Sequence, residues 1–186
     1  MRKLAFLALA AAWPIAIAAS PVRAQTMQPS VVKDLLDDMK SVHKKLVDLA
    51  SAMPADKYDW RPGEGVRSVA EVFKHVASDN YLIPVATGAK PPAETGITAD
   101  YRSAQAFEQR KLDKAAVVAE LDKSFTFVEK ELGGTSQARL GETIKIFGSD
   151  GTVQGLWVLA ATHLHEHLGQ AIAYARMNNV VPPWSR

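Results

Sequence analysis

The stretch from Thr152 to Asn178, TVQGLWVLAATHLHEHLGQAIAYARMN, constrains this chain more than any other. It contains no proline, opens on a threonine suited to an N-cap, and closes on Asn178-Asn179 just before Val-Val-Pro-Pro. Those signals predict one long helix. Three of the five histidines fall within five residues of it: His163, His165 and His167. At about 100° per residue, His163 and His167 stand roughly 40° apart around the helix and about 6 Å apart along it, so both imidazoles can reach one cation. His165 points roughly 160° away from both, beside Thr162, Gly169 and Arg176. The helix therefore offers a two-ligand H-x-x-x-H pair, and any third ligand must come from elsewhere in the chain.

The N-terminus reads as an export signal. Arg2-Lys3 precede an apolar run from Leu4 to Ala19, and Val22-Arg23-Ala24 ends in a small-residue cleavage pattern, which predicts a secretory signal peptide over residues 1–24, cut before Gln25. Pro14 and the shortness of the run argue against a retained membrane anchor. The leader carries three of the 22 basic residues and none of the 20 acidic ones, so the formal charge moves from +2 to −1 on cleavage. A near-neutral chain without a basic stripe lacks the electrostatic footprint of a nucleic-acid binder. The expected location is periplasmic or secreted. Residues 25–186 form one domain of ordinary size. There is no cysteine, so packing replaces disulfides, and a metal must bind through histidine and carboxylate.

Taken in order, Ser30 to about Met53 carries Val32, Leu35, Leu36, Met39, Leu46, Val47 and Ala50 at three-and-four spacing, the pattern of a half-buried helix. His43 shares that inward side as a pocket-wall histidine or an alternative ligand. After a break at Met53-Pro54, Ser68-Val-Ala-Glu71 spells a capping box, and an apolar periodic run from Val69 to about Leu82 follows it. His75 lies beside that stripe and is the candidate partner for the H-x-x-x-H pair. Asp79, one turn on, is placed to orient a ligand histidine through its outer ring N–H, or else faces solvent. Residues 84–113 form a long connection with at most a short helix near Ala104–Arg110, either a lid or a wrap. A helix from about Lys114 to Leu132 stops at Gly133-Gly134. Ile144–Gly151 then leads through a Ser-Asp-Gly turn into the last helix, whose apolar circumference marks it as the one its neighbours pack against. No strand period stands out, and the fold class is an all-α, four-helix bundle whose long connections do not force up-down-up-down order.

Three imidazoles around a divalent ion leave positions open, the arrangement of catalytic zinc sites, where the metal polarises a carbonyl or generates hydroxide near neutral pH. Imidazole donors alone do not choose among zinc, nickel, copper and iron. Gln170 and Tyr174 share the face of His163 as candidates for lining the pocket. His163-Leu-His-Glu-His167 also spells H-x-x-E-H, an inverted zinc-peptidase signature with Glu166 as base, but such peptidases draw another ligand from well downstream and only 19 residues follow His167 here; Glu166 then either faces the edge of the metal site or is a surface acid.

Three segments, WRPGEGVRSVAEVFKH ending at His75, HLHEHLGQ from His163 to Gln170, and ARMNNVVPP from Ala175, resemble the DinB-like (YfiT-like) family of metal-binding four-helix bundles. The resemblance spans nearly all of the mature region, and the final histidine followed by x-G-Q is its most specific part. It implies a divalent ion, often zinc or nickel, on a triad that maps onto His75, His163 and His167, and many members are dimers. Characterised relatives include thiol-dependent transferases and isomerases of the cytoplasm, from which an exported chain departs. Two functions follow as expectations: a metal-dependent hydrolase or transferase acting on a small molecule, and a non-catalytic metal- or ligand-binding protein.

Overall fold

The computed structural model describes residues 30–185, so the leader expected over residues 1–24 lies outside the described residues. Ser30 accepts a hydrogen bond from the Lys33 amide and starts α1, Val31–Ala52. The capping box forms as read. Ser68 Oγ accepts from the Glu71 amide, and the Glu71 carboxylate accepts from the Ser68 amide at 2.7 Å, opening α2, Val69–Leu82. Within the long connection Asp100 caps a short α3, Tyr101–Glu108. Asp113 caps α4, Lys114–Gly133, and Thr152 caps α5, Val153–Met177. Each cap gives an otherwise orphaned first-turn amide an acceptor.

The four long helices form a bundle in which α4 and α5 each pack against both α1 and α2. Consecutive helices α1 and α2 therefore lie across the bundle from one another, and so do α4 and α5. The long connections permit this order. The core is continuous through all four helices: Met39, Leu46 and Leu49 of α1, Phe73 and Val76 of α2, Leu121 and Phe125 of α4, and Leu156 and Trp157 of α5 are buried together.

The helix most enclosed by its neighbours is α2 rather than α5. Every residue of α2 except Glu71 is buried, whereas α5 leaves Val158 and Leu159 42% and 37% exposed. The polar groups that α2 carries inward are each partnered. Lys74 donates to the Arg110 carbonyl at 2.9 Å, and Asn80 donates to Ser124 Oγ at 3.0 Å, as burial in a low-dielectric interior demands.

The segment before α5 departs from the all-helical expectation. β1 (Thr143–Ile146) and β2 (Ser149–Thr152) pair as an antiparallel hairpin with Ile146 opposite Ser149. Its turn is Phe147-Gly148, both at positive φ, and not Ser-Asp-Gly. Two central residues at positive φ match the twist of a two-residue hairpin, normally signalled by Asn-Gly or Asp-Gly. A phenylalanine in the first position hides that signal, and four-residue strands are too short for their alternation to stand out. A Cβ on Gly151 would lie 2.6 Å from Ile146 Cδ1, so a larger residue there would have to turn the Ile146 side chain aside. No helix among the described residues is long and apolar enough to cross a membrane.

Candidate metal centre

His75 comes from the middle of α2 and His163 and His167 from successive turns of α5, at the place where those two helices pack. One nitrogen from each of the three rings lies within 4.8 Å of the others. The ring centroids are 5.1 Å apart for His75–His163, 4.6 Å for His75–His167 and 4.4 Å for His163–His167. The Nε2 atoms of His75 and His163 face each other at 3.3 Å. His75 and His167 are buried, and His163 is the more open of the three.

What turns these nitrogens inward is the grip on the far side of each ring. His75 Nδ1 lies 2.7 Å from Glu108 Oε1. An ionised carboxylate only accepts, so Nδ1 carries the proton and Nε2 keeps its lone pair. His167 Nδ1 lies 2.8 Å from Gln170 Oε1, and the Gln170 amide group donates to Tyr174 Oη at 3.1 Å. Tyr174 in turn packs edge-on against Trp60, with centroids 5.5 Å apart. Two of the three histidines thus have the anchoring that metal ligands need, the outer N–H donated and the inner nitrogen free.

Glu108 is the functional residue that the sequence did not disclose. It sits at the end of α3, in the connection whose role was open between lid and wrap, and nothing in its local pattern links it to a histidine 33 residues earlier. α3 packs along α2 and brings it there. Arg67, at 3.1 Å, holds the other carboxylate oxygen. Burial would raise the Glu108 carboxyl, but the hydrogen bonds it accepts from His75 and Arg67, with the Arg67 charge, outweigh it and hold it below the usual carboxylate value. Because such orienting partners are worth about 10–100-fold in metal affinity, Glu108→Gln is expected to weaken zinc binding by that factor. Competition against a chelator measures it, and an unchanged affinity would remove Glu108 from the site.

Asp79 is not where the sequence reading put it. Its Oδ2 lies 3.1 Å from His163 Nε2 and 3.6 Å from His75 Nε2, on the inner side of both rings. The orienting role expected of it belongs to Glu108, because an i, i+4 neighbour on α2 reaches the near edge of the His75 ring and α3 covers the far edge. Gln170, expected to line the pocket, instead anchors His167. His43 is remote from the centre. Its ring stacks on Phe125 at 4.5 Å, and its nitrogens meet Glu129 at 2.9 Å and Asp122 at 2.8 Å, so it ties α1 to α4. Both its nitrogens are committed and none is left for an ion. Glu166 is exposed on the outside of α5, about 100° around the helix from His167. His165 pairs with Asp38 of α1 at 2.8 Å.

Burial, reinforced by the neighbouring His163 and His75, pushes the His167 imidazole below its ordinary value of 6.5, against the opposing hydrogen bond it donates to Gln170. A neutral ring is what a metal ligand requires. The consequence for the metal-free protein has a definite sign. Between the depressed folded value and 6.5 the unfolded chain binds more protons than the folded one, so stability falls as pH drops through that window. Urea unfolding in chelator at about pH 7.5 and about pH 5.5 should show the loss, and His167→Gln should make the two curves more alike.

A polar cavity of about 890 Å³ reaches Glu108 and Arg67 but none of the three histidines. It does not give direct access to the centre. The donor set itself fits a borderline divalent ion: neutral imidazoles, no thiolate, a carboxylate at hand.

Several solved structures share this architecture. A DinB-like protein from Bacillus cereus is 16% identical, with a TM-score of 0.67 over 81% of this chain and 95% of that one. The DinB-like YjoA of Bacillus subtilis is 20% identical, with a TM-score of 0.61 over 80% and 93%. YfiT from Bacillus subtilis, described as a probable metal-dependent hydrolase with an unusual four-helix bundle topology, is 15% identical, with a TM-score of 0.66 over 84% and 93%. At these identities the likeness is one of fold. No curated protein sequence matches the chain. The sequence match is to a family: residues 39–171, a span that takes in all three histidines and their anchors, match the DinB superfamily, and the chain belongs to that superfamily.

Proposed function

We propose that this protein is an exported, metal-dependent hydrolase or transferase acting on a small molecule, with a divalent ion, zinc or nickel, held by His75, His163 and His167. One observation carries the reading: two of the three rings are tied back through Nδ1 while nitrogens of all three converge. An imidazole cluster without a cation has no need of that arrangement. When bound, the ion supplies Lewis acidity toward a carbonyl or phosphoryl oxygen and acidifies water.

The chain's own residues do the rest. Glu108 fixes the tautomer of His75 and adds negative charge behind it, which strengthens its Nε2 as a donor. Gln170 does the same for His167 without the charge, and its amide group also bonds Tyr174. The buried flanks of His75 and His167 exclude water, and His163, the most open of the three rings, marks the side from which a small substrate enters. Export is supported by the basic start, apolar run and small-residue cleavage pattern of residues 1–24. YfiT is named a probable metal-dependent hydrolase, which agrees in reaction class.

The test is elemental analysis of the mature protein, followed by visible spectroscopy of the cobalt-substituted form with azide. One ion per chain and an azide-dependent spectrum are expected, together with chelator-sensitive turnover of an ester or amide panel. An ion that ignores azide would favour the binding-protein reading. A protein that takes up no stoichiometric ion would end the proposal.

A further inference from the structure

We infer that Asp79 is a direct fourth donor to the ion, through Oδ2, so that the centre is a three-histidine, one-aspartate site. This deepens the metal-centre reading and rests on it. Donor atoms about 2.0–2.2 Å from one ion and roughly 90–110° apart stand about 2.8–3.6 Å from one another. Asp79 Oδ2, His163 Nε2 and His75 Nε2 form a triangle with sides of 3.1, 3.3 and 3.6 Å. A carboxylate that only accepted a hydrogen bond from a ligated water would lie one bond length further out.

Charge gives a second, independent argument. Asp79 is 9% exposed, and among the described residues its ionic partners are His75 and His163 alone. No lysine or arginine compensates it, whereas Glu108, the other acid at the centre, has Arg67. Burying a carboxylate without a cation is costly, and a divalent ion among the three imidazoles supplies the missing charge. Asp79 Oδ1 turns away toward Ser78 Oγ at 3.5 Å, which leaves Oδ2 as the single oxygen facing the rings. A four-coordinate ion held this way is surrounded by protein donors, and substrate entry then requires a fifth position.

Cobalt titrations of the mature protein test this with two substitutions and one control. Asp79→Ala removes the donor, and Asp79→Asn keeps its shape without its charge. Glu166→Gln removes a nearby charge from the exposed side of α5. Since outer partners of ligands are worth about 10–100-fold, loss of a direct donor should weaken cobalt binding by about tenfold or more in both Asp79 variants. It should also shift and reshape the visible bands, while Glu166→Gln changes neither. Circular dichroism of the metal-free proteins checks that each variant folds. If wild type binds one cobalt and both Asp79 variants match it in affinity and spectrum, the fourth donor is refuted while the three-histidine reading stands. An equal loss in Glu166→Gln would assign the effect to general electrostatics and refute it as well. Failure of wild type to bind cobalt would overturn both.

Discussion

Replacing His163 with alanine is expected to abolish stoichiometric metal binding while leaving the fold in place. The three rings differ in how cleanly they can be removed. His75 and His167 are 6% and 7% exposed, so truncating either opens space in the interior and confounds metal loss with lost packing. His163 is the more open of the three, its side chain 17% exposed, on α5, a continuous helix where alanine is the most favourable residue. Its removal takes away one of the three convergent nitrogens and one of the two partners of Asp79. Where a residue that only orients a ligand costs about 10–100-fold, a ligand should cost more than about 100-fold. His165→Ala is the matched control: two residues along, its ring pairs with Asp38 on the surface and the variant should bind zinc like wild type. Elemental analysis after dialysis reads both. Equal occupancy in His163→Ala and wild type would remove the α5 pair from the centre.

The largest expected effect on stability is at Trp157. Its side chain is fully buried, and its indole N–H donates to Thr135 Oγ1 at 3.1 Å, joining α5 to the end of α4. Truncation to alanine leaves a cavity and removes the tie to Thr135, whose hydroxyl keeps only its bond to the Glu131 carbonyl. Large-to-small changes of this kind cost about 3–5 kcal/mol, a large part of the roughly 5–15 kcal/mol that holds a domain of this size together. Val158, the next residue, is 42% exposed, and its alanine variant should stay within about 0.5 kcal/mol of wild type. Urea unfolding of the two variants side by side measures the contrast. Similar midpoints would mean that the α4–α5 end of the bundle does not carry the core assigned to it.

Much of the site was legible because its ingredients are local. Helix periodicity put His163 and His167 on one side of α5 and His165 on another, and the capping box at Ser68 fixed the start of α2 and hence the phase of His75. Where the reading went astray, the missing information was a partner far off in sequence. His43 has the spacing of an inward residue, yet what it meets is a pair of acids on α4. Asp79 is one turn from His75, but whether it takes the inner or outer nitrogen depends on what already occupies the other edge. The occupant is Glu108, delivered by a short helix inside a connection that has no motif.

Local patterns were enough to place the ends of the four long helices, to sort residues onto faces, and to bring two imidazoles together on α5, whereas the short α3 begins at Tyr101 and not near Ala104; hydrogen bonds and side-chain periodicity act over three or four residues. Only the tertiary structure decided that α1 and α2 lie across the bundle from one another, that α2 is the enclosed helix, and that Glu108 and Asp79 stand on opposite edges of one histidine ring. Those facts follow from burying apolar surface among elements far apart in the chain, and that force has no direction along the sequence to be read.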